Sequence, residues 1–519
     1  MKTIEISVLP EEAANEALLK PIISNIIHTK EFDFRIVKRS IDARKQIVKF
    51  NLKIEIYINE EIPSNITLTV YQNVENKPEV IIIGFGPAGM FAALKLIELG
   101  FKPIVLERGK EVRARRRDIA DISKNQIVNP NSNYCFGEGG AGTFSDGKLY
   151  TRSKKRGDIN EILTVLVEHG ANESILVDAH PHIGTNKLPD VVTAIRETIL
   201  KHGGEIYFNT QVVDLIIEKN TLIGVIDQKN KKYLATNTIL ATGHSARDIF
   251  YLLHKKNVLI ESKPFALGVR VEHPQELIDQ VQYHCEERSE FLPPASYKLV
   301  HQVGKRGVFS FCMCPGGIIA PCATAPGEIV TNGWSPSKRN NPFANSGIVV
   351  TVEQEDLEPF KAYGPLAGLK FQESVERAVF IGGQNNEKTN FGQIAPAQRL
   401  IDFINNKTSV TLPVCSYHPG VISAPLHQIL PKKIVYILQE GFKAFGRKIK
   451  GYLTKEAIIV AVESRTSSPV KIPRDFETLE HPELKGFYPC GEGAGYAGGI
   501  VSAAIDGQKC ALAIATKSN

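Results

Sequence analysis

The 519-residue sequence predicts an α/β protein whose main domain is built on an open parallel sheet. Two stretches near opposite ends of the chain, residues 80–107 and 486–507, carry this prediction, because each reads as a strand, a glycine-rich turn and a helix. The length exceeds what one hydrophobic core usually supports, so two or three domains are expected. Hydrophobic residues make up 43% of the chain and charged residues 23%, which is ordinary for a globular protein.

The first stretch has the elements of a dinucleotide-binding unit in the required order. Val80–Ile83 is a short β-branched run typical of a buried parallel strand, and Met90–Leu99 has the length and spacing of a helix. Between them lies a G-x-G-x-x-G turn. A second strand, Ile104–Leu106, ends roughly 20 residues after the first glycine, where a ribose-binding carboxylate is expected. The cofactor-binding residues predicted here are Gly84, Gly86, Pro87, Ala88, Gly89 and Glu107.

Each glycine of this turn has a mechanical purpose. Gly84 permits the tight turn, Gly86 lets the backbone approach a pyrophosphate, and Gly89 lets helix and strand pack closely. The N-terminus of the following helix offers free N–H groups and a positive dipole to the phosphates. The unit is therefore interpreted as a Rossmann-like dinucleotide site.

Residues 486–507 resemble the second flavin-binding motif of the glutathione-reductase-like FAD superfamily. Phe487–Cys490 is strand-like, and an acidic glycine turn leads into a helix that is expected to start near Gly498. The resemblance implies that Glu492 binds the ribityl chain and that the helix N-terminus faces the pyrimidine edge of a flavin, where its dipole favours the anionic reduced form. It therefore implies FAD as the cofactor. The residues assigned to this motif are Gly491, Glu492, Gly498, Gly499 and Ile500.

Three further segments fit the same superfamily pattern. Thr238–Gly243 is an apolar strand that runs into Ala-Thr-Gly, and residues 203–214 resemble the strand whose backbone meets the adenine, at Val212 or Val213. The glycine-rich run Phe136–Lys148 resembles the loop that lies against the pyrophosphate and the isoalloxazine, although a flexible surface loop has the same composition. The resemblance adds these cofactor-binding residues: Arg108, Gly139, Gly140, Ala141, Gly142, Thr143, Val212, Thr242 and Gly243.

The ordered set of motifs resembles a family usually called uncharacterised FAD-dependent dehydrogenases, and the resemblance covers nearly all of the chain. It implies FAD and redox chemistry but supplies no substrate. The family-like strings besides Phe136–Leu149 are Lys-Arg-Ser-Ile-Asp-Ala-Arg-Lys (38–45), Met-Cys-Pro-Gly-Gly (313–317), Ala-Asn-Ser-Gly (344–347) and Glu-Ser-Arg-Thr-Ser-Ser-Pro-Val (463–470).

The positions of the motifs predict a discontinuous FAD-binding domain at 77–255 and 471–519, interrupted by an α+β substrate domain at 256–470. Strand-like runs in the inserted domain are Ala266–Val271, Gly307–Cys312, Ile348–Val352 and Ala378–Ile381. Residues 1–76 are expected to form a small α/β module that docks a partner or a second subunit.

Within this module, Thr3–Val8, Phe32–Lys38 and the alternating run at 50–58 read as strands. Glu11–Ile27 reads as a helix with a kink at Pro21. No catalytic constellation is evident in the module.

Cysteine usage, charge and hydropathy limit the classes of function. The eight cysteines include no C-x-x-C, which argues against a structural zinc site and a dithiol pair and favours a reducing compartment, so a cytoplasmic protein is expected. No signal peptide or membrane span is evident. His180 and His182 have no third ligand nearby, so no metal is expected.

The net charge of +6 and the basic run at 113–117 raise the alternative of nucleic-acid binding. A solvated helix face with one phosphate contact accounts for this run more simply, so nucleic acid is not an expected partner.

Few side chains stand out as candidates for catalysis. Cys314 lies in a glycine- and proline-rich loop, where it is either a redox partner of the flavin or an inert buried thiol. Arg465 could clamp a carboxylate or phosphate of the substrate, or it could instead pair with Glu463. Arg339 could act as a clamp in the same way, or it could instead be a solvated loop residue. His273 is a possible proton donor, as is His301, although single histidines are more often structural.

These observations favour a FAD-dependent oxidoreductase that transfers a hydride to or from a small organic substrate. The chain has no second dinucleotide unit, so NAD(P)H would bind only transiently, as a reductant. A flavin-dependent monooxygenase is the alternative enzyme, but Ala-Thr-Gly-His (241–244) and Gly-Glu-Gly-Ala (491–494) depart from the aromatic hydroxylase pattern. An RNA-modifying or partner-binding flavoprotein and a FAD-binding scaffold are the remaining alternatives.

Overall fold

A computed structural model gives the structure of residues 2–64, 68–150, 157–383 and 392–518. The first 57 residues form a three-stranded antiparallel sheet in the order β1-β3-β2, with two helices. The central strand alternates buried Phe50, Leu52, Ile54 and Ile56 with exposed residues, so one face of the sheet is in the core. The elements are β1 (Lys2–Val8), α1 (Pro10–Ala14), α2 (Glu16–Ile27), β2 (Asp33–Asp42) and β3 (Lys49–Tyr57).

The helix predicted for 11–27 is interrupted at a different place from the one expected. The chain leaves helical geometry at Asn15, and the Asn15 side chain accepts a hydrogen bond from the backbone N–H of Ala17 and caps α2. Pro21 lies inside α2, and the helix continues through it to Ile27. The break therefore comes from a capping residue rather than from the proline.

The next part of the chain alternates strands and helices and supplies most of a parallel sheet. A separate antiparallel sheet, β7-β8-β9, follows the third of these strands. The elements are β4 (Glu79–Ile83), α3 (Pro87–Glu98), β5 (Lys102–Leu106), α4 (Val112–Lys124), α5 (Ile159–Glu168), α6 (Leu188–Lys201), β6 (Glu205–Tyr207), β7 (Val212–Glu218), β8 (Thr221–Asp227), β9 (Lys232–Leu234), β10 (Thr238–Leu240) and α7 (Arg247–Lys255).

The following segment contains a seven-stranded sheet in the order β13-β14-β17-β12-β20-β18-β19, whose neighbours are antiparallel except for β18 and β19. Two separate two-stranded sheets, β15-β16 and β11-β21, are also formed by strands of this segment. The elements are β11 (Glu261–Ser262), β12 (Phe265–Pro274), α8 (Gln275–Tyr283), β13 (Val300–Val303), β14 (Arg306–Cys314), β15 (Ile318–Pro321), β16 (Thr331–Trp334), β17 (Phe343–Val352), α9 (Ala367–Gly383), β18 (Ala395–Arg399), α10 (Leu400–Ile404), β19 (Val421–Ser423), α11 (Leu426–Ile429), α12 (Lys432–Lys448), β20 (Ile458–Glu463) and β21 (Val470–Lys471).

The chain then returns to the parallel sheet with β22 (Phe487–Pro489) and ends in α13 (Ile500–Ser518). β22 pairs in parallel with β10, which completes a five-stranded parallel sheet in the order β22-β10-β4-β5-β6. The predicted α/β fold with a parallel sheet is therefore confirmed, and both glycine-rich motifs follow strands of this one sheet. Among the described residues, no helix has both the length and the apolarity needed to cross a bilayer.

One strand prediction is wrong. Ala378–Ile381 lies in α9, a 17-residue helix. Its buried residues include Leu369, Gln372, Val375, Glu376 and Val379, which have the three- and four-residue spacing of one helix face. Four apolar residues are too few to show this spacing, so the run by itself also suits a strand.

The contact between α3 and α13 places the first and last helices of the parallel-sheet segments side by side. A Cβ atom at Gly507 would lie 2.0 Å from the carbonyl oxygen of Ala88, so the helices meet backbone to backbone at this point. We expect Gly507→Ala to lower the free energy of unfolding by about 2–3 kcal/mol, because α13 must move away from α3. Gly307→Ala is the matched control, since a Cβ there meets nothing closer than 3.6 Å. Equal urea midpoints for the two variants would contradict this packing.

A buried carboxyl in the large sheet is expected to make stability pH-dependent. Glu272, on β12, is buried and accepts hydrogen bonds from the backbone N–H and the hydroxyl of Ser416. Burial raises the pKa of Glu272 from 4.5 to about 7, although the bonds from Ser416 oppose the change. Between about pH 4.5 and about pH 7 the native state therefore binds more protons than the unfolded state. The free energy of unfolding consequently falls as the pH rises through this range.

We expect Glu272→Gln to remove about 3 kcal/mol of this pH-dependent loss. The measurement is urea unfolding at about pH 5 and about pH 8. Glu287→Gln, at an exposed position, should keep the wild-type dependence. If Glu272→Gln also keeps it, then Glu272 does not titrate in this range.

Candidate active site

A cavity of about 390 Å³ opens at the carboxyl ends of the parallel strands. Ile83, Leu106, Ala241 and Cys490, which stand at or just after the ends of β4, β5, β10 and β22, all line it. Ligands of open α/β sheets bind in this location. The opposite wall comes from the large sheet and its hairpin, through Phe311, Cys312, Cys314, Asn332, Gly333 and Trp334.

The first glycine turn has the geometry that its sequence predicts. Gly84 has φ +98°, and a Cβ there would lie 2.6 Å from the carbonyl oxygen of Ala241. A Cβ at Gly89 would lie 2.0 Å from the carbonyl oxygen of Gly84, so helix and turn are in close contact. α3 begins directly after Gly86, and no side chain caps its N-terminus, so its first N–H groups can bind an anion.

Glu107 lines the cavity, but its carboxylate also holds the surrounding backbone. It is 4% exposed and accepts hydrogen bonds from the N–H groups of Phe85 (2.8 Å), Gly109 (2.8 Å) and Gly137 (3.0 Å). The Glu107 carboxylate thereby connects the turn before α3, the loop after β5 and the glycine-rich loop through hydrogen bonds. A carboxylate has about four acceptor positions, so a ribose contact stays a prediction beside this observed structural role.

The glycine-rich loop is organised by Arg115, a member of the basic run at 113–117. This guanidinium is fully buried and donates to the carbonyl oxygens of Asn133 (2.9 Å), Tyr134 (3.0 Å), Glu138 (2.6 Å) and Gly140 (2.7 Å). Burial lowers the pKa of Arg115 to about 10. The run is thus not wholly solvated, because Arg115 is fixed beneath the loop, whereas Arg113, Arg116 and Arg117 are exposed.

Arg108 is predicted to lie near the phosphates, and it lines the cavity. Its guanidinium donates to Asp248 (2.8 Å) and Asn131 (3.1 Å) and lies over the Phe136 ring at 4.3 Å. Arg108 is therefore held by its own neighbours. Of the two valines proposed beside the adenine, Val212 is buried and lines the cavity, whereas Val213 is exposed.

The C-terminal motif faces the same cavity. Glu492 lies 3.6 Å from the imidazole of His244, measured from Oε1 to Nδ1. α13 begins at Ile500 rather than near Gly498, because Gly499 has φ +154° and the N–H of Gly498 donates to the Ser502 hydroxyl (3.1 Å). The turn is thus two residues longer than expected.

Most of the residues predicted to bind the cofactor line this one cavity. They are Gly84, Gly86, Pro87, Ala88, Glu107, Arg108, Gly140, Ala141, Gly142, Val212, Thr242, Gly243, Gly491, Glu492, Gly498, Gly499 and Ile500. The other three, Gly89, Gly139 and Thr143, lie behind the lining. Thr143, for example, donates its hydroxyl proton to the carbonyl of Glu138 (2.7 Å).

Two of the five catalytic candidates line the cavity. Cys314 is fully buried, and its Sγ lies 3.5 Å from Nζ of Lys148. Arg465 is bound in a buried cluster with Glu376 (3.1 Å) and Glu328 (3.0 Å), rather than with Glu463 as the alternative predicted. Its guanidinium is therefore already paired and is not a free substrate clamp.

The other three candidates do not line the cavity, and one of them, His301, is half-buried on β13. Arg339 is not solvated, because it pairs with Asp146 at 2.9 Å, although Asp146 itself lines the cavity. His273 is fully buried in the inserted sheet, where its Nε2 lies 2.9 Å from the carbonyl oxygen of Tyr452. Burial lowers the pKa of His273 to about 4, so it is unsuited to donate a proton at neutral pH.

The cavity-lining groups that sequence reasoning missed include Cys312, Lys148, His244 and Trp334. Cys312 escapes a search that considers only C-x-x-C spacing. Lys148 ends the glycine-rich run, and His244 follows Ala-Thr-Gly, so both stand next to recognised motifs. Nothing in the local sequence marks Trp334.

Among the described residues, one group has the composition of a metal site: Cys490, Asp506 and Cys510. The guanidinium of Arg474 binds Asp506 at 2.6 Å and lies 3.7 Å from Sγ of Cys510. This positive charge already neutralises the carboxylate and opposes a cation. His180 and His182 are not part of this group. The Nε2 atom of His182 instead lies 3.1 Å from the carbonyl oxygen of Ser337.

Comparisons with known proteins include a match over nearly the full length. An uncharacterized protein of Clostridium beijerinckii is 40% identical over 502 residues, covering 93% of this chain and 92% of that protein. Residues 264–466 match the family model "FAD-dependent protein, C-terminal domain-like", and residues 1–57 match a domain of unknown function, DUF8436. Monooxygenase 1 of Arabidopsis thaliana is 25% identical over 161 residues, which cover 31% of this chain and 36% of that protein.

Among solved structures, the chain is similar to CtdE in complex with FAD, with 12% identity, a TM-score of 0.32 and 84% of each chain covered. It is also similar to the halogenase PltM, with 13% identity and a TM-score of 0.37, covering 85% of this chain and 69% of that one.

Proposed function

This chain belongs to the FAD-dependent protein family, and from that membership we propose that it is an oxidoreductase that exchanges a hydride between FAD and an organic substrate. One observation carries the proposal. A single cavity is lined by both glycine-rich motifs of the parallel sheet and by β14 and β16 of the inserted segment. Cofactor and substrate can therefore meet in one place.

The residues of the cavity fit a dinucleotide in their chemistry. The turn at Gly84 and Gly86 with the uncapped start of α3 would receive the pyrophosphate, and Glu107 has acceptor capacity left for the ribose. Glu492 would bind the ribityl chain, and the start of α13 would face the pyrimidine edge. FAD bound there supplies two-electron redox chemistry.

Lys148 is the residue that we assign to orienting the substrate. Its Nζ lies 3.4 Å from Asp146 and 3.5 Å from Cys314. Burial opposes its charge, but Cys314, Asp146 and Cys312 outweigh burial and raise the pKa of Lys148, so Nζ stays protonated. A protonated amine in a partly apolar cavity binds an anionic or electron-rich substrate group and holds a proton beside it.

The test is anaerobic absorbance of the FAD-loaded protein during titration with NADH and then with NADPH. We expect the flavin band to bleach with at least one of them, because a nicotinamide can enter the same cavity transiently. Dithionite reduction of the same sample is the control that the flavin is intact. A flavin that dithionite bleaches and neither nicotinamide reduces would contradict the proposed use of NAD(P)H.

A further inference from the structure

Five of the eight cysteines line the cavity, and two of these lie on one irregular stretch of β14. β14 pairs regularly with β17 as far as Phe311, and pairing resumes at Cys314 with a register shift. Cys312 lies inside this bulge with φ +44°, a left-handed conformation that is rare for a residue with a side chain. Bulges of this kind re-aim side chains next to active sites.

The two thiols of this stretch differ in access. Cys312 is exposed where it lines the cavity, whereas Cys314 is fully buried beneath the same wall. One thiol can therefore meet a molecule that enters the cavity, and the other can react only with something already held there. Flavin-linked thiol chemistry needs this division between an attacking and a resolving sulfur.

Lys148 supplies the charge that such chemistry requires. Its Nζ lies 3.5 Å from Sγ of Cys314, within hydrogen-bonding distance for sulfur. Although Cys312 faces the open cavity, desolvation by the surrounding wall raises its pKa to about 11, and Lys148 opposes that increase. The lysine is thus a positioning residue that acts on both sulfurs.

The other cysteines of the cavity lack this arrangement. Cys490 and its neighbour Cys510 are both completely buried, so neither can meet an entering molecule. Sγ of Cys135 lies 3.9 Å from the carbonyl oxygen of Cys322, which is itself buried. The combination of an exposed thiol, a buried thiol and a lysine is therefore found at Cys312 and Cys314.

We propose that Cys312 and Cys314 form a redox pair that reduces disulfide-containing substrates, an inference that rests on the proposed flavin oxidoreductase function. Cys312 gives up its thiol proton as it attacks one sulfur of the substrate disulfide and forms a mixed disulfide, and the expelled first thiolate takes up that proton. Cys314 then attacks Sγ of Cys312, breaks the mixed disulfide and releases the second thiol. FAD held in the cavity would supply two electrons and one proton to the Cys312–Cys314 disulfide, with the second proton from water, and a nicotinamide hydride donor would be the source of those electrons.

The test uses the reduced, FAD-loaded protein under anaerobic conditions, with 2-hydroxyethyl disulfide as the probe. Tandem mass spectra of the tryptic peptide 307–338, which also contains Cys322, should place a new disulfide between Cys312 and Cys314. Cys314→Ser should instead trap the mercaptoethanol adduct on Cys312, and Cys312→Ser should give neither product. Cys285→Ser, outside the cavity lining, should behave as the wild type.

Two further readouts separate a redox role from a structural one. The oxidised wild type should take up about twice as many electrons from dithionite as Cys312→Ser, because the disulfide adds a second two-electron acceptor to the flavin. Lys148→Met should shift the pH profile of Cys312 modification to higher pH, and Lys148→Arg should restore it.

Failure of the redox-pair proposal can be distinguished from failure of the proposed flavin oxidoreductase function. Oxidation that joins Cys322 to either sulfur, or no oxidation in a protein whose flavin is bound and reducible, would overturn the redox pair alone. A protein that binds no FAD would overturn the proposed function whatever the thiols do.

Discussion

Replacing Arg115 with methionine is expected to abolish flavin binding and to lower the free energy of unfolding by about 3–5 kcal/mol. The guanidinium is fully buried and donates to four carbonyl oxygens of residues 133–140. Methionine fills similar space but donates nothing, so these carbonyls lose their buried partner together. The loop between α4 and α5, which lines the cavity, would then lose its shape.

The neighbouring residue provides the control for this prediction. Arg116→Met, at an exposed position of the same helix, removes the same charge without touching the loop. It should keep wild-type flavin content and a wild-type urea midpoint. If Arg115→Met behaves like Arg116→Met in both measurements, the loop does not depend on this arginine.

Glu376→Gln is expected to destabilise the protein by about 3–5 kcal/mol, because it leaves a buried positive charge uncompensated. Glu376 is fully buried and pairs with Arg247 (2.9 Å) and Arg465 (3.1 Å). Glu328 pairs with the same two arginines, each at 3.0 Å, so the cluster balances two positive with two negative charges. Burial opposes ionisation, but the two guanidinium groups outweigh it and hold the pKa of Glu376 at about 2.

The same cluster joins the two parts of the molecule that enclose the cavity. Arg247 lies on α7, beside the parallel sheet, whereas Glu376 lies on α9 of the inserted segment. Thermal unfolding of Glu376→Gln should therefore show a large decrease in the midpoint, and Glu373→Gln, a half-buried carboxyl on the same helix, should show a much smaller one. Similar midpoints for the two variants would mean that the cluster contributes little to stability.

Parts of this structure could be predicted because their cause is local. Gly84, Gly89 and Glu107 are recognisable from spacing alone, since a strand, a tight turn and a helix N-terminus each leave a short sequence pattern. The strand β22 was anticipated for the same reason, because the second motif also begins with a strand.

The remainder depends on contacts between distant segments, which no local pattern encodes. Arg115 looks like part of a solvated basic face, yet it supports a loop that begins 18 residues later. Arg465 was expected to pair with Glu463, only two residues away, whereas its partners lie 89 and 137 residues earlier. Cys312 was missed because the bulge that turns it toward the cavity is a property of the pairing between β14 and β17.

The central claim is that this cavity binds FAD, and the flavin content of Gly86→Val tests it most directly. Gly86 lines the cavity, and a Cβ there would meet nothing closer than 3.7 Å, so valine should leave the fold intact while filling the space expected for the pyrophosphate. After incubation with FAD and gel filtration, wild type and Gly307→Ala should retain stoichiometric flavin and Gly86→Val little, with unchanged circular dichroism. A wild type without flavin, or a Gly86→Val that retains it fully, would contradict the claim.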